Sequence, residues 1–175
     1  MVPPQTKKRP TVFFDRDGVL NEDTGYPHQP SQIVWIDGSI EAVKYLNDAG
    51  YLVLVITNQA GVAQGYFDEP TVNSLHAWFN QHLANWGAHI DAFYYCPHHP
   101  NAAVERYRLV CSCRKPAPGL LLQAIAEWPV DLKRSILIGD KESDLAAAAA
   151  VNIKGVHFKS GNLFSFVKQN VSQVS

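Results

Sequence analysis

The sequence predicts a single α/β domain built on a doubly wound, mostly parallel sheet. Short apolar runs alternate with helical patterns along the 175 residues, an order typical of strand–helix–strand units. The run LVLVI at residues 52–56 is apolar throughout, as in a parallel strand that helices cover on both faces. A hydrophobic content of 46% and a length suited to one domain agree with this fold.

Five strands and four helices are predicted in alternation. We expect strands at residues 11–14, 52–56, 92–95, 136–138 and 153–158. The first helix, 39–49, ends at Gly50, and the second begins after Asp68, a residue favoured as an N-cap. Proline residues open and close the third helix, 118–129, and the alanine-rich segment 143–151 forms the fourth.

Charge and hydropathy exclude several classes of partner. The net charge is −1 and the one basic run, residues 7–9, belongs to a segment 1–10 that we expect to be a disordered or extended tail before a domain at 11–175. No basic surface for nucleic acid is therefore expected, and no run approaches the ~18 apolar residues that span a membrane. The first residues also lack the apolar core of a signal peptide. We expect a cytoplasmic monomer that binds neither nucleic acid nor membrane.

Two long connections interrupt the regular pattern. Residues 16–37 and 96–117 are irregular, and connections of this length in a compact domain are usually functional. Residues 16–37 are too few for a cap domain, and residues 58–91 hold one helix plus connections. We therefore expect an open site without a cap, at the carboxyl ends of the strands.

The motif DRDG follows the first strand directly. Asp15 and Asp17, two residues apart, leave the strand on the same side, and Gly18 permits a sharp turn. Such a carboxylate pair can hold Mg²⁺, and mutual repulsion can raise the pKa of one member so that it donates a proton. Read alone, the motif also fits an ordinary turn at the end of a strand.

Three further polar clusters follow predicted strands or the second long connection. Thr57 offers a hydroxyl and backbone amides to phosphate, Lys115 offers a compact positive charge, and Asp140 supplies a third carboxylate, with Asp144 one helical turn later. Each has a simpler reading as a cap or a surface charge. Together, in this order, they favour a phosphoryl-transfer site.

The motifs FFDRDGVLN, VITNQAGVAQGYF, CRKPAPGLL and LIGDKESDLAAA occur in that order between residues 12 and 158. In these motifs the chain resembles phosphatases of the haloacid-dehalogenase (HAD) superfamily. One departure is Val19, where many members carry threonine. The change adds no charge near the metal, so it leaves the catalytic assignment intact.

The resemblance implies a role for each polar cluster. Asp15 would attack phosphorus to form an aspartyl-phosphate, and Asp17 would protonate the leaving oxygen and then activate water. Asp15, the backbone carbonyl of Asp17 and Asp140 would coordinate Mg²⁺. Thr57 and Lys115 would stabilise the transferred phosphoryl group.

All three cysteines lie within one segment. Cys96, His98, Cys111 and Cys113 form a set suited to tetrahedral Zn²⁺, and four protein ligands leave no open position for catalysis. We therefore predict a structural zinc site that folds the segment 96–113. Buried unligated cysteines are the alternative, and spacing leaves His99 open as a competing ligand.

The zinc segment and residues 21–26 (NEDTGY) resemble those of D-glycero-D-manno-heptose 1,7-bisphosphate phosphatases. That resemblance implies hydrolysis of the C7 phosphate of a heptose bisphosphate. It also implies substrate contacts from a set of residues in four regions: Asp23, Thr24, Gly25, Tyr26, Thr57, Asn58, Gln59, Ala60, Arg114, Lys115 and Lys141.

Three other functions remain open. Histidinol-phosphate phosphatases share the catalytic clusters and the zinc, but their zinc loop is shorter. A zinc-stabilised binding protein without turnover is disfavoured because Asp15, Asp17, Lys115 and Asp140 are all present. A phosphatase for nucleic-acid ends is disfavoured by the absence of a basic surface.

Overall fold

The computed structural model describes residues 7–173, and the first six residues of the predicted tail lie outside this range. In this part of the chain, five parallel strands form one sheet in the order β3-β2-β1-β4-β5. Their bounds are Thr11–Phe14 (β1), Leu52–Asn58 (β2), Ala92–Cys96 (β3), Ile136–Gly139 (β4) and Lys154–His157 (β5). The predicted parallel, doubly wound sheet is therefore confirmed.

Within residues 7–173, six α-helices accompany the sheet. They are Ser39–Asp48 (α1), Ala60–Ala63 (α2), Glu69–Ala84 (α3), Gly119–Glu127 (α4), Glu142–Ala150 (α5) and Leu163–Val171 (α6). The four predicted helices are present with shifts of one or two residues at most ends, and Asp68 caps α3 by accepting a hydrogen bond from the backbone of Thr71. Helices α2 and α6 were not predicted.

The alternation of side chains along the strands divides the core into two layers. In β1, Val12 and Phe14 belong to the layer formed with α1, α3 and α6, whereas Phe13 belongs to the layer formed with α4 and α5. All three side chains are fully buried. The sheet is thus covered on both faces, which explains the unbroken apolar runs at residues 12–14 and 52–56 of its central strands.

The described end of the predicted tail is attached to the domain. Arg9 forms a parallel bridge with Val130, and its N–H donates to the carbonyl of Pro129 at 2.7 Å. The Arg9 guanidinium also donates to the carbonyls of Gly50 and Tyr51. Residue 9 therefore extends the base of the sheet, beside the start of β1.

The strand order brings the segments that follow β1, β2 and β4 together at the carboxyl edge of the sheet. The chain moves from β1 to β2 on one side and reaches β4 on the other, so the carboxyl ends of these strands surround a crevice. Between residues 7 and 173 there is no cap domain: the segment after β1 contains a single 3₁₀ turn, Pro30–Gln32, before α1. No helix in this range combines the length and apolar character needed to cross a bilayer.

Candidate active site

A cavity of about 630 Å³ opens at the carboxyl ends of β1, β2 and β4. Every residue predicted to bind substrate except Thr24 lines its wall, whereas Asp140, predicted as a magnesium ligand, does not. The wall is formed by Asp15, Asp17, Asp23, Gly25, Tyr26, Thr57, Asn58, Gln59, Ala60, Arg114, Lys115, Pro116, Lys141, Ser143 and Asp144.

Lys115 lies between two buried carboxylates at the base of this cavity. Its Nζ is 2.9 Å from Oδ1 of Asp15 and 2.5 Å from Oδ1 of Asp144, and it donates to the carbonyl of Ile56 at 2.8 Å. Burial raises the pKa of Asp15 to about 7; the Lys115 charge opposes this shift and Asp144 adds to it. Burial opposes the charge of Lys115, but the two carboxylates outweigh it and raise the lysine pKa.

Three carboxylates converge where a cation can bind. One ligand atom each from Asp15, Asp140 and Asp144 lies within 4.8 Å of the others. Oδ1 of Asp140 is buried and has no hydrogen-bond partner within the described part of the chain. Gly18 makes room for this carboxylate, since its φ is +89° and a Cβ there would lie 2.3 Å from Oδ2 of Asp140. An all-oxygen set with an unpartnered buried oxygen suits Mg²⁺.

The carboxylate of Asp17 is not part of this carboxylate cluster and accepts hydrogen bonds from three other side chains. Arg16 donates to both of its oxygens, from Nε at 3.0 Å and from Nη2 at 3.1 Å. Asn21 donates to Oδ1 at 2.9 Å, and Gln59 donates to Oδ2 at 3.0 Å. Gln59 also donates to the hydroxyl of Thr57 at 2.9 Å, so the first and second strand ends are joined by side chains.

Asn58, a predicted substrate contact, lines the cavity and also forms hydrogen bonds with the backbone of Lys115. It accepts from the Lys115 N–H and donates to the Lys115 carbonyl, both at 3.1 Å. This two-way pairing fixes the chain on either side of the lysine Cα. The Asn58 side chain thus anchors the backbone at Lys115, and Thr57 lines the same cavity.

The rim of the cavity carries the remaining polar candidates. Nζ of Lys141 lies 3.4 Å from Oδ2 of Asp23, which joins the loop after β4 to the loop after β1. Tyr26 follows Gly25 in the left-handed region, with φ of +56° and +85°, and its ring centroid is 5.1 Å from that of Tyr66. Arg114 donates from Nη1 to the carbonyl of His98 at 3.3 Å.

The cysteines and one histidine meet in a second cluster. Ligand atoms of Cys96, His98, Cys111 and Cys113 all lie within 4.8 Å of one another. His98 contributes Nδ1, which is 3.4 Å from Sγ of Cys113. His99 is engaged elsewhere, since its Nδ1 accepts from the backbone N–H of Asn101 at 3.1 Å. Three thiols and an imidazole form a donor set that can hold Zn²⁺ with no position left for substrate.

Comparison with known proteins places these sites in a family. A Rhodopseudomonas palustris protein named D-glycero-beta-D-manno-heptose-1,7-bisphosphate 7-phosphatase is 44% identical over 162 residues, covering 93% of this chain and 90% of that protein. The protein of the same name from Escherichia coli K12 is 44% identical over 147 residues, covering 84% of this chain and 77% of that protein. The chain belongs to this phosphatase family.

Solved structures agree with the assignment to the heptose bisphosphate phosphatase family. A Bordetella bronchiseptica D,D-heptose 1,7-bisphosphate phosphatase, solved with magnesium and phosphate, matches with a TM-score of 0.77 at 34% identity, covering 91% of this chain and 86% of that chain. A Burkholderia thailandensis enzyme matches with a TM-score of 0.62 at 27% identity, covering 94% and 99% of the two chains. A sequence family described as HAD-hydrolase-like matches residues 112–164. The chain is a HAD-superfamily phosphatase, and its donor sets fit magnesium and zinc.

Four residues that shape this site were assigned no role from the sequence. Asp144 was placed one turn after Asp140, but its ion pair with Lys115 depends on how α5 packs. Arg16 lies inside the DRDG motif and Asn21 soon after it, yet neither was given a role. His76, on α3, contacts Arg16 from 60 residues away, and only the fold reveals such a contact.

Proposed function

We propose that this chain is a magnesium-dependent phosphatase that removes the C7 phosphate of D-glycero-β-D-manno-heptose 1,7-bisphosphate. The observation that carries the chemistry is the position of Asp15, 2.9 Å from a buried lysine and beside two carboxylates that can share a cation. The choice of sugar is supported by the family relatives, whose name states that substrate.

The first step is an attack by Asp15 on phosphorus. One carboxylate oxygen forms a bond to phosphorus as the ester P–O bond to C7 breaks, and the electron pair of that bond goes to the sugar oxygen. Asp17 donates a proton to this oxygen, so the sugar leaves as an alcohol. Lys115 and the hydroxyl of Thr57 stabilise the charge on the three equatorial oxygens.

The second step returns the enzyme to its starting state. Asp17, now ionised, accepts a proton from a water molecule that attacks phosphorus, and the bond between phosphorus and Asp15 breaks. Inorganic phosphate leaves. Bound through Asp15, Asp140 and the Asp17 carbonyl, with Asp144 close by, Mg²⁺ would supply positive charge to offset that of the phosphoryl group.

The rim supplies the proposed selectivity for a bisphosphate. Arg114 and Lys141 bring two positive side chains to the cavity wall, where they can bind the phosphate that is not cleaved. Asp23 and Tyr26 can hydrogen-bond sugar hydroxyls from the opposite loop. Gly25, Gln59 and Ala60 also line the cavity and complete the proposed contact surface.

We propose a structural zinc ion at Cys96, His98, Cys111 and Cys113, which would hold the loop that carries Arg114. We also propose that the protein acts as a monomer, because a single chain supplies the proposed nucleophile, the metal ligands and the substrate contacts. A cysteine-ligated metal and a highly charged sugar substrate are both suited to the cytoplasm.

The test is phosphate release from a substrate panel. The panel contains both anomers of the heptose 1,7-bisphosphate, the 7-monophosphate, histidinol phosphate and common hexose phosphates. We expect the highest kcat/KM for the β-anomer of the bisphosphate, loss of activity in excess chelator, and recovery with Mg²⁺. Asp15→Asn keeps the side-chain shape and should lower kcat by several orders of magnitude. Full activity in chelator, or in Asp15→Asn, would refute the mechanism; preference for histidinol phosphate would refute the substrate.

A further inference from the structure

A fully buried arginine separates the two aspartates of the DRDG motif. The side chain of Arg16 is only 1% exposed, and its guanidinium donates to both oxygens of Asp17 in a paired arrangement. Paired hydrogen bonds of this kind fix the plane of a carboxylate as well as its distance. None of the catalytic steps above uses Arg16.

The guanidinium is itself held from several sides. Nη2 also donates to the carbonyl of Pro27 at 2.9 Å and to Oε1 of Gln59 at 3.2 Å. Nη1 lies 3.3 Å from Nε2 of His76, and the group sits 6.0 Å from the ring centroid of Phe79. Each guanidinium nitrogen thus has a partner, which leaves Arg16 little freedom to reorient.

His76 is suited to hold this cation. It is buried and stacks on Phe93 with ring centroids 4.4 Å apart. Burial, and then the charge of Arg16, lower the pKa of His76 to about 3, so the imidazole is neutral. A neutral ring with its proton on Nδ1 presents Nε2 as an acceptor to Arg16.

Burying an ion pair is a poor way to stabilise a protein, because desolvation offsets most of the attraction. An arginine that is buried to pair with a carboxylate at the cavity wall therefore points to geometry as the purpose of the pair. The partner of this pair is the carboxylate that must face the leaving oxygen in one step and water in the next.

We propose that Arg16 is a positioning residue that fixes the orientation of the Asp17 carboxylate for proton transfer. Asn21 and Gln59 complete the arrangement by donating one further hydrogen bond to each oxygen. The inference rests on the proposed function, because it assumes that Asp17 is the proton donor.

The test uses the dependence of kcat/KM on the leaving group. Phenyl phosphate and p-nitrophenyl phosphate have nearly the same shape, but phenolate is the poorer leaving group and depends more on a proton donor. Because kcat/KM covers only the steps up to P–O cleavage, hydrolysis of the aspartyl-phosphate does not enter the ratio. Asp17→Asn defines the change in the ratio when the donor is absent.

We expect Arg16→Gln to increase the preference for p-nitrophenyl phosphate over phenyl phosphate by about tenfold, in the same direction as Asp17→Asn. Combined with Asp17→Asn, it should add no further change in the ratio. Phe79→Leu is the control: it removes core volume beneath the guanidinium, and it should lower stability and affect both substrates equally. Unfolding temperatures are measured for every variant.

If Arg16→Gln does not fold, the ratio is measured in Arg16→Lys instead. This variant keeps the buried charge while losing the paired hydrogen bonds. A folded Arg16 variant with the wild-type ratio overturns the inference. If Asp17→Asn itself keeps the wild-type ratio, the proposed function loses its proton donor, and the two failures are thereby distinguished.

Discussion

The ammonium group of Lys115 lies 2.9 Å from Asp15 and 2.5 Å from Asp144, and all three side chains are buried. Without this lysine, two carboxylates would face each other and Asp140 in a site of low dielectric constant. Lys115 is therefore both the counter-charge that permits this arrangement and the cation nearest the attacking oxygen.

Lys115→Met should reduce activity and stability together. Removing one partner of a buried ion pair typically costs about 3–5 kcal/mol, and removing a group that stabilises transition-state charge costs about a hundredfold or more in kcat. Mg²⁺ should restore part of the lost stability by neutralising the carboxylates, but not the activity. Urea unfolding with and without Mg²⁺, beside phosphate release, measures both effects.

The exposed Lys159→Met serves as the matched control for the loss of one lysine charge. It should leave both measurements near the wild-type values. Equal stability of Lys115→Met and wild type would contradict the buried-pair account.

The zinc prediction concerns metal content and local order. Purified protein should carry about one Zn²⁺ per chain, and His98→Ala should lose it while His99→Ala retains it. Elemental analysis of both variants checks this, and the reverse result would show that His99 is the ligand.

Loss of zinc should loosen the loop before it unfolds the sheet. The hydroxyls of Tyr95 and Tyr107 both donate to Glu69 at 2.8 Å, so α3 gives the loop a second anchor. In Cys113→Ser, protease cleavage should appear first within residues 96–113. The rate of cleavage there should rise sharply, whereas the unfolding temperature of the domain should fall only slightly. Simultaneous loss of sheet and loop would contradict this order.

Residues that follow strands were predictable, because parallel strands bring their carboxyl ends to one edge. Asp15, Thr57 and Asp140 each come directly after an apolar run, so the pattern alone placed them together. Helix α6 was missed although Asn162 caps it and Leu163 and Val167 have helical spacing. Helix α2, four residues long, is too short to show any period.

Contacts that depend on packing were not predictable. His76 lies among the buried residues of α3, such as Leu75 and Phe79, and its spacing is that of an ordinary core position. Asn58 was expected to contact substrate from the family resemblance, and its pairing with the Lys115 backbone was not expected. The path of the segment 96–113 brings the Lys115 backbone to the Asn58 side chain. The sequence does not define that path, so the pairing could not be predicted.

His76 should make stability depend on pH in acid. Its pKa is about 3 in the folded protein against 6.5 as the ordinary value, so between these values the unfolded chain binds a proton that the native chain does not. Stability is therefore complete above about pH 6.5 and falls as pH decreases toward 3, by roughly 2 kcal/mol at pH 5.

Urea unfolding of wild type and His76→Gln from pH 8 to pH 5 measures this contribution. Glutamine keeps an acceptor for Arg16 but does not titrate, so the variant should lose less stability on acidification. The value at pH 8 serves as the reference for each protein. Parallel pH profiles would show that His76 is not the source of the dependence.

The last prediction concerns Arg114 and the phosphate that is not cleaved. The guanidinium lies on the cavity wall beside Lys115, and its Nη1 donates to the His98 carbonyl, which ties it to the zinc cluster. A planar group held in this way can bind a phosphate through paired hydrogen bonds. Arg114→Ala should lower kcat/KM for the 1,7-bisphosphate by about ten- to a hundredfold, the cost of a charge-assisted contact of ~1.5–3 kcal/mol.

The 7-monophosphate separates binding of the second phosphate from general damage to the site. Because it lacks the C1 phosphate, its kcat/KM should fall much less in Arg114→Ala. Arg108→Ala is the matched control, since Arg108 belongs to the same loop but donates to the Ala102 carbonyl and does not line the cavity. Arg114→Lys should recover only part of the loss, because an ammonium group keeps the charge without the paired geometry. Equal losses on both substrates would assign Arg114 to the cleaved phosphate instead.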